Sequence, residues 1–459
     1  MIHMNSICKI PELTQRDAIY LLVLILIVSL FQYSILIQGE IPLDEDSLLF
    51  FYPLRALHQD PHVGFWDPYL FCGFPREANP QSQLLYPPNL IFQIFSTPIG
   101  FTVLMIGHIL VGAVGMGLLL RGLHLSSEAA LFGAITFLVS TFWRCKITNL
   151  GLLEGISWIP FVLYYFLLGL ESGRWTPRMT AALFLAMVIL AGVPHTVIYT
   201  VIFLSLITAS YFLFRERPIL ASFTTFCTTI GSAAFLSIGM WLPALLYLPL
   251  SGRTPLALNH ALEGSIPWYD IWKVFLGGLS QPEISRCDPW EGTCYIGVTA
   301  LFFLPFGFRS IPGRLRVGLV ASLLFAIVCA LGNDGGLFPF LFHYFPGWNT
   351  INLPNRSLLI AALVLPIFAG FGLQCWITGK FVTRTWIVFL SLTGLLLFGV
   401  AAFTCLHLPG AWQSILNPSL TGIFQSHSMT DTNWALISFA LWMSMTMGIV
   451  LLFVISKNR

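Results

Sequence analysis

The sequence predicts an all-α protein that crosses a membrane many times, and three observations lead to this fold class. Hydrophobic residues make up 56% of the 459 residues, charged residues make up only 9%, and 40 residues are Phe. The apolar residues are gathered in runs of about 20, the length of helix that spans a bilayer. Lys and Arg are concentrated in the short loops between these runs. The composition excludes a soluble globular domain.

Twelve apolar runs are predicted to form membrane-spanning helices. They lie at residues 18–38, 99–120, 127–143, 151–171, 178–193, 195–214, 219–247, 293–308, 315–332, 357–376, 386–406 and 432–455. The first run is too long for the apolar core of a signal peptide, and no small-residue cleavage site follows it, so we expect a retained helix. Residues 1–459 are therefore predicted to form a single integral membrane domain.

The distribution of charge predicts the orientation of these helices. If the N-terminus is cytoplasmic, the inner loops receive most of the 22 Lys and Arg residues, and most of the 20 Asp and Glu residues lie outside. Short loops rich in Lys and Arg stay in the cytoplasm. Both termini are thus predicted to be cytoplasmic. The long loops, such as residues 39–98 and 248–292, are predicted to face the periplasm or the cell exterior.

The first long loop begins with the densest group of charges in the chain. Asp44, Glu45 and Asp46 follow one another shortly after the first predicted helix, in a chain with only 20 acidic residues. Water, a cation or a substrate must hold clustered charges at the edge of a bilayer, so this group predicts a functional site. The alternative is an acidic group in a wet loop that has no function.

Aromatic residues predict that the long outer loops lie partly in the membrane interface. In the first loop, Tyr52, Trp66 and Tyr69 are spaced among prolines and glycines. Rings with a polar tip are favoured at the interface, so we expect this loop to be ordered and to contain interfacial helices. Residues 266–279 of the second loop are predicted to form another short interfacial helix.

The usual motifs for nucleotide and metal sites are missing from the sequence. It contains no Gly-x-x-x-x-Gly-Lys loop, no Cys-x-x-Cys pair and no His-Glu-x-x-His helix. Direct use of ATP is therefore not expected. The net charge of +2 gives no indication of nucleic acid, and no such partner is expected. A divalent cation is the one cofactor left open, with Asp44 and Asp46 as its candidate ligands.

Four blocks of the first loop resemble the YfhO-like family of bacterial membrane proteins. In chain order they are residues 46–53 (DSLLFFYP), 66–75 (WDPYLFCGFP), 78–81 (ANPQ) and 86–89 (YPPN). Weaker similarities follow at residues 192–195, 295–298, 345–347 and 354–356. The resemblance runs over most of the chain but is dense only between residues 44 and 90.

That family is similar to glycosyltransferases of the GT-C architecture, which take a sugar from a polyprenyl-phosphate carrier on the outer face of the membrane. The resemblance therefore implies a GT-C-like fold in the bacterial inner membrane and transfer of a sugar to a lipid or glycan acceptor of the cell envelope. It also implies that Asp46, at the position of the family's Gly-Asp aspartate, is the catalytic base, with Asp44 as the second candidate. Glu45 replaces the family's glycine here, which leaves open which carboxylate faces the substrate.

Such a transfer also needs positive charge to hold the departing phosphate. An arginine fork donates two parallel hydrogen bonds to phosphate, and the start of a helix adds backbone donors. The candidate donor-phosphate ligands on the predicted outer side are Arg356, Arg144, Lys146 and Arg76. Arg356 could instead bind lipid head groups or Asp334, and Arg76 could instead neutralise the acidic group. Family members commonly carry a further arginine where this chain has Asn352.

Other polar residues of the outer side are candidates for binding the substrate. They are Glu154, His195, Asn79, Gln81 and Tyr86. Each has a structural alternative. His195 could join two helices by bonding to backbone, and Glu154 needs a cavity or a partner such as Lys146, because a carboxylate facing lipid is costly. Asn and Gln beside prolines commonly tie down a loop.

Two other functions are compatible with the same fold: a transporter or flippase for lipid-linked glycans, and a non-catalytic envelope assembly protein. A transporter is expected to have ionisable residues in the middle of helices and broken helices in matching halves. The charges of this chain lie instead at helix ends and in outer loops. The sequence therefore favours the transferase.

Overall fold

The computed structural model describes residues 7–12, 14–31, 47–60, 63–70, 72–146, 149–214, 218–251, 256–276 and 292–379. Ten of the predicted spans fall wholly or partly within these ranges, and each coincides with one helix or two. The predicted spans at 386–406 and 432–455 lie outside the described residues. So do Asp44, Glu45 and Asp46.

The described part is almost entirely helical, as predicted. Its α-helices are α1 Gln15–Phe31, α2 Tyr52–Ala56, α3 Thr97–Gly122, α4 Ser127–Val139, α5 Thr141–Lys146, α6 Leu150–Ser172, α7 Trp175–Leu190, α8 Pro194–Leu213, α9 Ile219–Leu236, α10 Ile238–Tyr247, α11 Leu258–Ala261, α12 Ile271–Leu276, α13 Val298–Ser310, α14 Gly313–Ala330, α15 Leu337–Tyr344 and α16 Leu358–Ile377. Six of these helices, α3, α6, α8, α9, α14 and α16, are long and apolar enough to cross a membrane. The protein is a polytopic helical membrane protein.

Helices α6 and α16 occupy the centre of the bundle. Helix α6 packs against α3 and α7, and α16 packs against α4, α13 and α14. The most apolar stretch of α16, together with the turn before it, is 94% buried and that of α6 is 83% buried, whereas that of α9 is only 22% buried. Because lipid is as apolar as these side chains, close packing holds such helices together. The low burial of α9 shows that few neighbours pack around it, so α9 lies at the periphery of the described bundle.

Polar residues at the predicted inner ends of the helices contact one another. Arg121 at the end of α3 pairs with Asp17 at the start of α1 at 3.0 Å. Arg314 at the start of α14 pairs with Glu171 at the end of α6 at 2.8 Å. Contacts between the end of one helix and the start of another are expected of helices that run alternately up and down.

The span predicted at residues 219–247 is divided into two helices. The break is at Ser237, which has φ −106° and ψ 11°. The Ser237 hydroxyl donates to the Ala233 carbonyl at 2.8 Å, and the Trp241 indole donates to the Ala234 carbonyl at 2.8 Å. The Ala233 carbonyl also accepts from the Ser237 backbone N–H at 3.1 Å, so the serine hydroxyl is its second donor, a contact that often bends a helix. Helix α10 then packs against the first outer loop.

The described part of the first long loop, which is predicted to face outward, consists of short helical turns and one small β-hairpin. A π-helical turn, Ser47–Phe51, continues directly into α2. Strands β1 (Trp66–Asp67) and β2 (Phe74–Pro75) pair antiparallel. The 3-10 turns Arg76–Ala78, Pro80–Ser82 and Pro87–Gln93 follow.

Exposed aromatic side chains accompany the short helices of both outer loops. Trp66 in the first loop and Trp268 in the second are more than half exposed. In the second loop, the turn Trp268–Asp270 and α12 form the short helix predicted within residues 266–279. The described parts of these loops therefore have the short helices that the aromatic pattern predicts.

Candidate functional site

A buried polar network joins the first outer loop to α6. Glu154, one turn into α6, is fully buried; the Gln83 side-chain amide donates to it, and Arg55 Nη2 lies 3.8 Å away. Arg55 is also fully buried and donates to Gln83 Oε1 at 2.5 Å and to the Gln81 carbonyl at 3.3 Å. Burial lowers the pKa of Arg55, and the Glu154 carboxylate partly offsets this. Glu154 thus has Arg55, rather than Lys146, as its charged partner.

Residues 190–195 comprise the end of α7, the short connection that follows it and the start of α8. They lie between α6 and the first loop, and we call them the corner. Gln83 Nε2 donates to the Ala191 carbonyl at 2.6 Å. Gly192 has φ +80°, and a Cβ at this position would lie 2.1 Å from the Pro80 carbonyl oxygen of the loop. On the other side, a Cβ on Gly151 of α6 would lie 2.9 Å from Val193 Cγ2 and 3.3 Å from the Ala191 carbonyl oxygen. At Gly192, only glycine permits such close approach of the two backbones.

Tyr86 fastens the loop to α3 and α6. Trp158 Nε1 donates to the Tyr86 hydroxyl at 2.7 Å, and that hydroxyl lies 2.6 Å from His108 Nε2. His108 Nδ1 lies 2.7 Å from the Leu104 carbonyl and must carry the hydrogen. His108 Nε2 is therefore the acceptor and Tyr86 the donor. Burial raises the pKa of Tyr86 well above its usual value.

Asn79 and Gln81 support the loop itself. The Asn79 side-chain oxygen accepts a hydrogen bond from the Gln81 backbone N–H at 3.1 Å and so caps the turn Pro80–Ser82. The Gln81 carbonyl accepts from Arg55. These are the contacts of residues that tie down a loop. The side chains of Asn79 and Tyr86 thus bond within the protein, whereas both contacts of Gln81 use its backbone, and a role of these residues in binding the substrate stays a prediction.

Three basic residues meet at the same end of α6 around a small cleft, whose volume of about 10 Å³ is no more than the space that one water molecule needs. Lys146 ends α5, His195 stands in the first turn of α8, and Arg356 lies in the 3-10 turn Pro354–Ser357 that leads into α16. Arg356 Nη1 is 3.4 Å from His195 Nδ1, and His195 Nε2 is 3.0 Å from the Asn352 carbonyl. His195 Nε2 is therefore a donor and Nδ1 an acceptor. The side chain of Arg144, in α5, lies outside the described residues.

Arg76, the remaining phosphate candidate, borders a different cavity. This first-loop cavity has a volume of about 490 Å³, and its polar lining includes His58, Gln59, Asp60, Arg76, Asn89 and Gln93. Arg76 is 2% exposed, and burial lowers the pKa of its guanidinium, which Asp67 partly offsets. Burial, with Arg55 and Arg76 nearby, lowers the pKa of His58 to about 4. His58 is therefore neutral near pH 7.

Sequence reasoning missed several residues of this region. Arg55 could have been found, because it is a basic residue of the predicted outer side that lies two residues after the DSLLFFYP block. Asn89 is the last residue of the YPPN block, so the sequence could also have identified it as a candidate. Gln83 gives no signal, although it adopts the left-handed conformation with φ 51° and binds both Arg55 and Glu154.

No candidate metal centre is found in the part of the chain that the structure describes, where no three His, Cys, Asp or Glu residues are grouped to hold an ion. Asp44 and Asp46, the candidate cation ligands, lie outside that part. Ser47, which follows Asp46 directly, is fully buried. The question of a cation at the acidic group therefore stays a prediction.

Comparisons with known proteins give distant similarity to solved structures. No family model matches the chain, and no curated protein matches it. A solved structure similar to the chain is the arabinofuranosyltransferase AftD from mycobacteria, with a TM-score of 0.46 and 15% identity. The alignment covers 82% of this chain and 28% of that one, so the chain spans less than a third of AftD. A similarity of this strength carries no argument about activity, and the YfhO-like resemblance stays a prediction.

Proposed function

We propose that this protein is a membrane glycosyltransferase that moves a sugar from a polyprenyl-phosphate carrier to an acceptor of the cell envelope on the outer face. The observation that supports this function best is the meeting of Lys146, His195 and Arg356 around one cleft, which has to open to admit a phosphate because its volume is about 10 Å³. Arginine and lysine bind phosphate oxygens by charge-assisted hydrogen bonds. Arg356 also stands at the N-terminal end of α16, where the helix dipole favours an anion.

His195 has a positioning role in this proposal. It accepts a hydrogen bond from Arg356 and donates one to the Asn352 carbonyl, so it fixes the guanidinium relative to the backbone. A pre-oriented cation stabilises charge that develops in a transition state without reorganising during the reaction. Arg356 and Lys146 would thus neutralise the leaving phosphate, with Arg144 and Arg76 as further candidates.

The proposed reaction is a single displacement. Asp46 accepts the proton of the acceptor hydroxyl, and the hydroxyl oxygen forms a bond to the anomeric carbon of the sugar. The bond between that carbon and the phosphate oxygen breaks, and polyprenyl phosphate leaves with the electron pair. The anomeric configuration is inverted. Asp44 and Glu45 would orient Asp46 or help to hold a divalent cation.

The test is release of polyprenyl phosphate by the purified protein in lipid nanodiscs, supplied with radiolabelled sugar carriers. A positioned general base contributes about 100-fold or more to a rate, so we expect Asp46→Asn to slow release by at least that factor. Glu263→Gln is the matched control, because Glu263 is an exposed carboxylate of the second outer loop. It is expected to release at the wild-type rate.

Two results would contradict the proposal in different ways. Equal release by wild type and Asp46→Asn would remove Asp46 from the chemistry. Failure to release from any carrier, combined with movement of a lipid-linked glycan across sealed vesicles, would replace the transferase with a transporter. Arg356→Gln provides a separate check, since loss of a phosphate ligand is expected to raise KM for the carrier.

A further inference from the structure

The first-loop cavity contains an arginine that is anchored by only one of its three nitrogens. Arg76 Nη1 donates to the carbonyl oxygens of Val63 and Gly64 at 3.1 and 3.0 Å. Arg76 Nε and Nη2 are buried and have no hydrogen-bond partner. The N–H bonds of these two nitrogens point the same way along one edge of the planar group. That edge matches two oxygens of a phosphate or carboxylate.

The charge of Arg76 is not neutralised by direct contact. Among the residues that the structure describes, no carboxylate forms an ion pair with this guanidinium, and Asp67 acts on it only at longer range. A buried cation is costly unless it is paired. The edge formed by Nε and Nη2 therefore favours an anionic ligand over a neutral one.

The same cavity also has acceptors that suit hydroxyl groups. Asn89 Oδ1 is buried without a hydrogen-bond partner, while Asn89 Nδ2 donates to the Gln83 carbonyl at 3.0 Å. His58 Nε2 lies 3.2 Å from the Ser82 carbonyl, so it carries the hydrogen and leaves Nδ1 as an acceptor. An anion that carries neighbouring hydroxyl groups would use both kinds of partner.

Part of the rim of the cavity is apolar, although the exposed side chains of Gln59 and Gln93 also line the cavity. Leu85 and Leu90 line it and are 47% and 68% exposed. A ligand whose charged end lies on Arg76 would therefore have its apolar part along these leucines. A volume of about 490 Å³ is large enough for a lipid head group.

We infer that the first-loop cavity binds the anionic, hydroxyl-bearing head group of a membrane lipid, with the phosphate on Arg76 Nε and Nη2. This inference rests on the proposed function, because it assigns the cavity to a lipid-borne acceptor while the Arg356 cleft holds the donor phosphate. Arg76 then belongs to the acceptor rather than to the donor. Arg76 Nε and Nη2 are covered by other atoms of the protein, so the wall of the cavity has to move when the head group enters.

Binding of short-chain lipids to the full-length protein in detergent tests the inference without any need for turnover. The probes are dihexanoyl phosphatidylglycerol, dihexanoyl phosphatidylcholine and glycerol 1-phosphate, measured by calorimetry. We expect phosphatidylglycerol to bind at least tenfold more tightly than either of the other two. Arg76→Gln is expected to weaken it about tenfold or more, since two charge-assisted hydrogen bonds are lost. Arg76→Lys is expected to keep only part of the affinity, because lysine retains the positive charge but not the two parallel N–H donors of the guanidinium.

The apolar rim supplies a second test that does not touch the anchoring of the loop. Leu90→Ser is expected to weaken phosphatidylglycerol severalfold and leave glycerol 1-phosphate unchanged. Leu220→Ser, at an equally apolar position of α9 that is 75% exposed, is the control and should change neither. If Arg76→Gln fails to fold, Arg76→Lys and Leu90→Ser carry the test.

Three results would overturn the inference. The first is unchanged phosphatidylglycerol binding in Arg76→Gln. The second is equal affinity for glycerol 1-phosphate and phosphatidylglycerol, which would make the cavity a site for a soluble anion. The third is loss of phosphatidylglycerol binding in Arg356→Gln but not in Arg76→Gln. Phosphatidylglycerol binding in a protein that releases no polyprenyl phosphate would support the lipid site and contradict only the transferase.

Discussion

Replacing Glu154 by alanine is expected to destabilise the attachment of the first loop to the bundle. The substitution removes the carboxylate 3.8 Å from Arg55 and leaves this arginine fully buried without an anionic partner. It also removes one of the two acceptors of the Gln83 side-chain amide, which keeps only the Ala191 carbonyl.

The size of the effect follows from the distance and the burial. At 3.8 Å and an effective dielectric constant of about 20, two unit charges attract by about 4 kcal/mol. Breaking a buried pair by removing one partner costs about 3–5 kcal/mol, because the other charge stays buried. We therefore expect Glu154→Ala to lower the free energy of unfolding by about 3 kcal/mol or more. Glu154→Gln keeps an acceptor for Gln83 and should cost less.

Equilibrium unfolding in bicelles, followed by tryptophan fluorescence, measures this free energy. The matched control is Glu263→Ala, which removes an exposed carboxylate paired with His260 and should change it by less than about 0.5 kcal/mol. In Arg55→Met with Glu154→Leu no charge stays buried alone, so the double variant should be more stable than Glu154→Ala. If Glu154→Ala costs under about 1 kcal/mol, or the double variant is the least stable, the pair does not hold the loop.

Three further predictions concern the same region. Gly192→Ala should destabilise the protein more than Gly173→Ala in thermal unfolding. Both glycines have positive φ, but a Cβ at Gly173 would meet nothing within 4 Å. Equal losses of stability would contradict the close packing of the corner against the loop. Tyr86→Phe should cost about 1–3 kcal/mol because two buried polar groups lose their partner, whereas Tyr69→Phe, 69% exposed, should cost little. The pKa of His58 is about 4 in the folded protein, against an ordinary value of 6.5. The contribution of neutral His58 to the free energy of unfolding is therefore fully present above pH 6.5. Up to about 3 kcal/mol of stability is lost as the pH falls toward 4. His58→Gln should flatten this dependence in unfolding measurements across that range, and an unchanged slope would contradict the burial of neutral His58.

The helices could be predicted from the sequence because a membrane span needs a run of about 20 apolar residues and little else. The span predicted at 99–120 is α3, Thr97–Gly122, and that at 151–171 is α6, Leu150–Ser172. The break at Ser237 could not be predicted, since both flanking segments are apolar and the break depends on a local hydrogen bond from the serine hydroxyl to a carbonyl.

The site was less predictable, because its contacts join residues far apart in the chain. Glu154 was expected to need a partner, since an unpaired carboxylate in a membrane is costly. That the partner is Arg55 depends on how the first loop folds over α6. The meeting of His195 and Arg356 joins positions 161 residues apart and has no signature in either local sequence.

The corner at residues 190–195 contacts both candidate sites within a few residues. Ala191 and Gly192 touch the first loop, while His195 contacts Arg356. A shift of the loop as its cavity fills would therefore be felt at the Arg356 cleft through the contacts of the corner. Occupancy of one site would then change the affinity of the other, and by thermodynamic linkage the effect would be reciprocal.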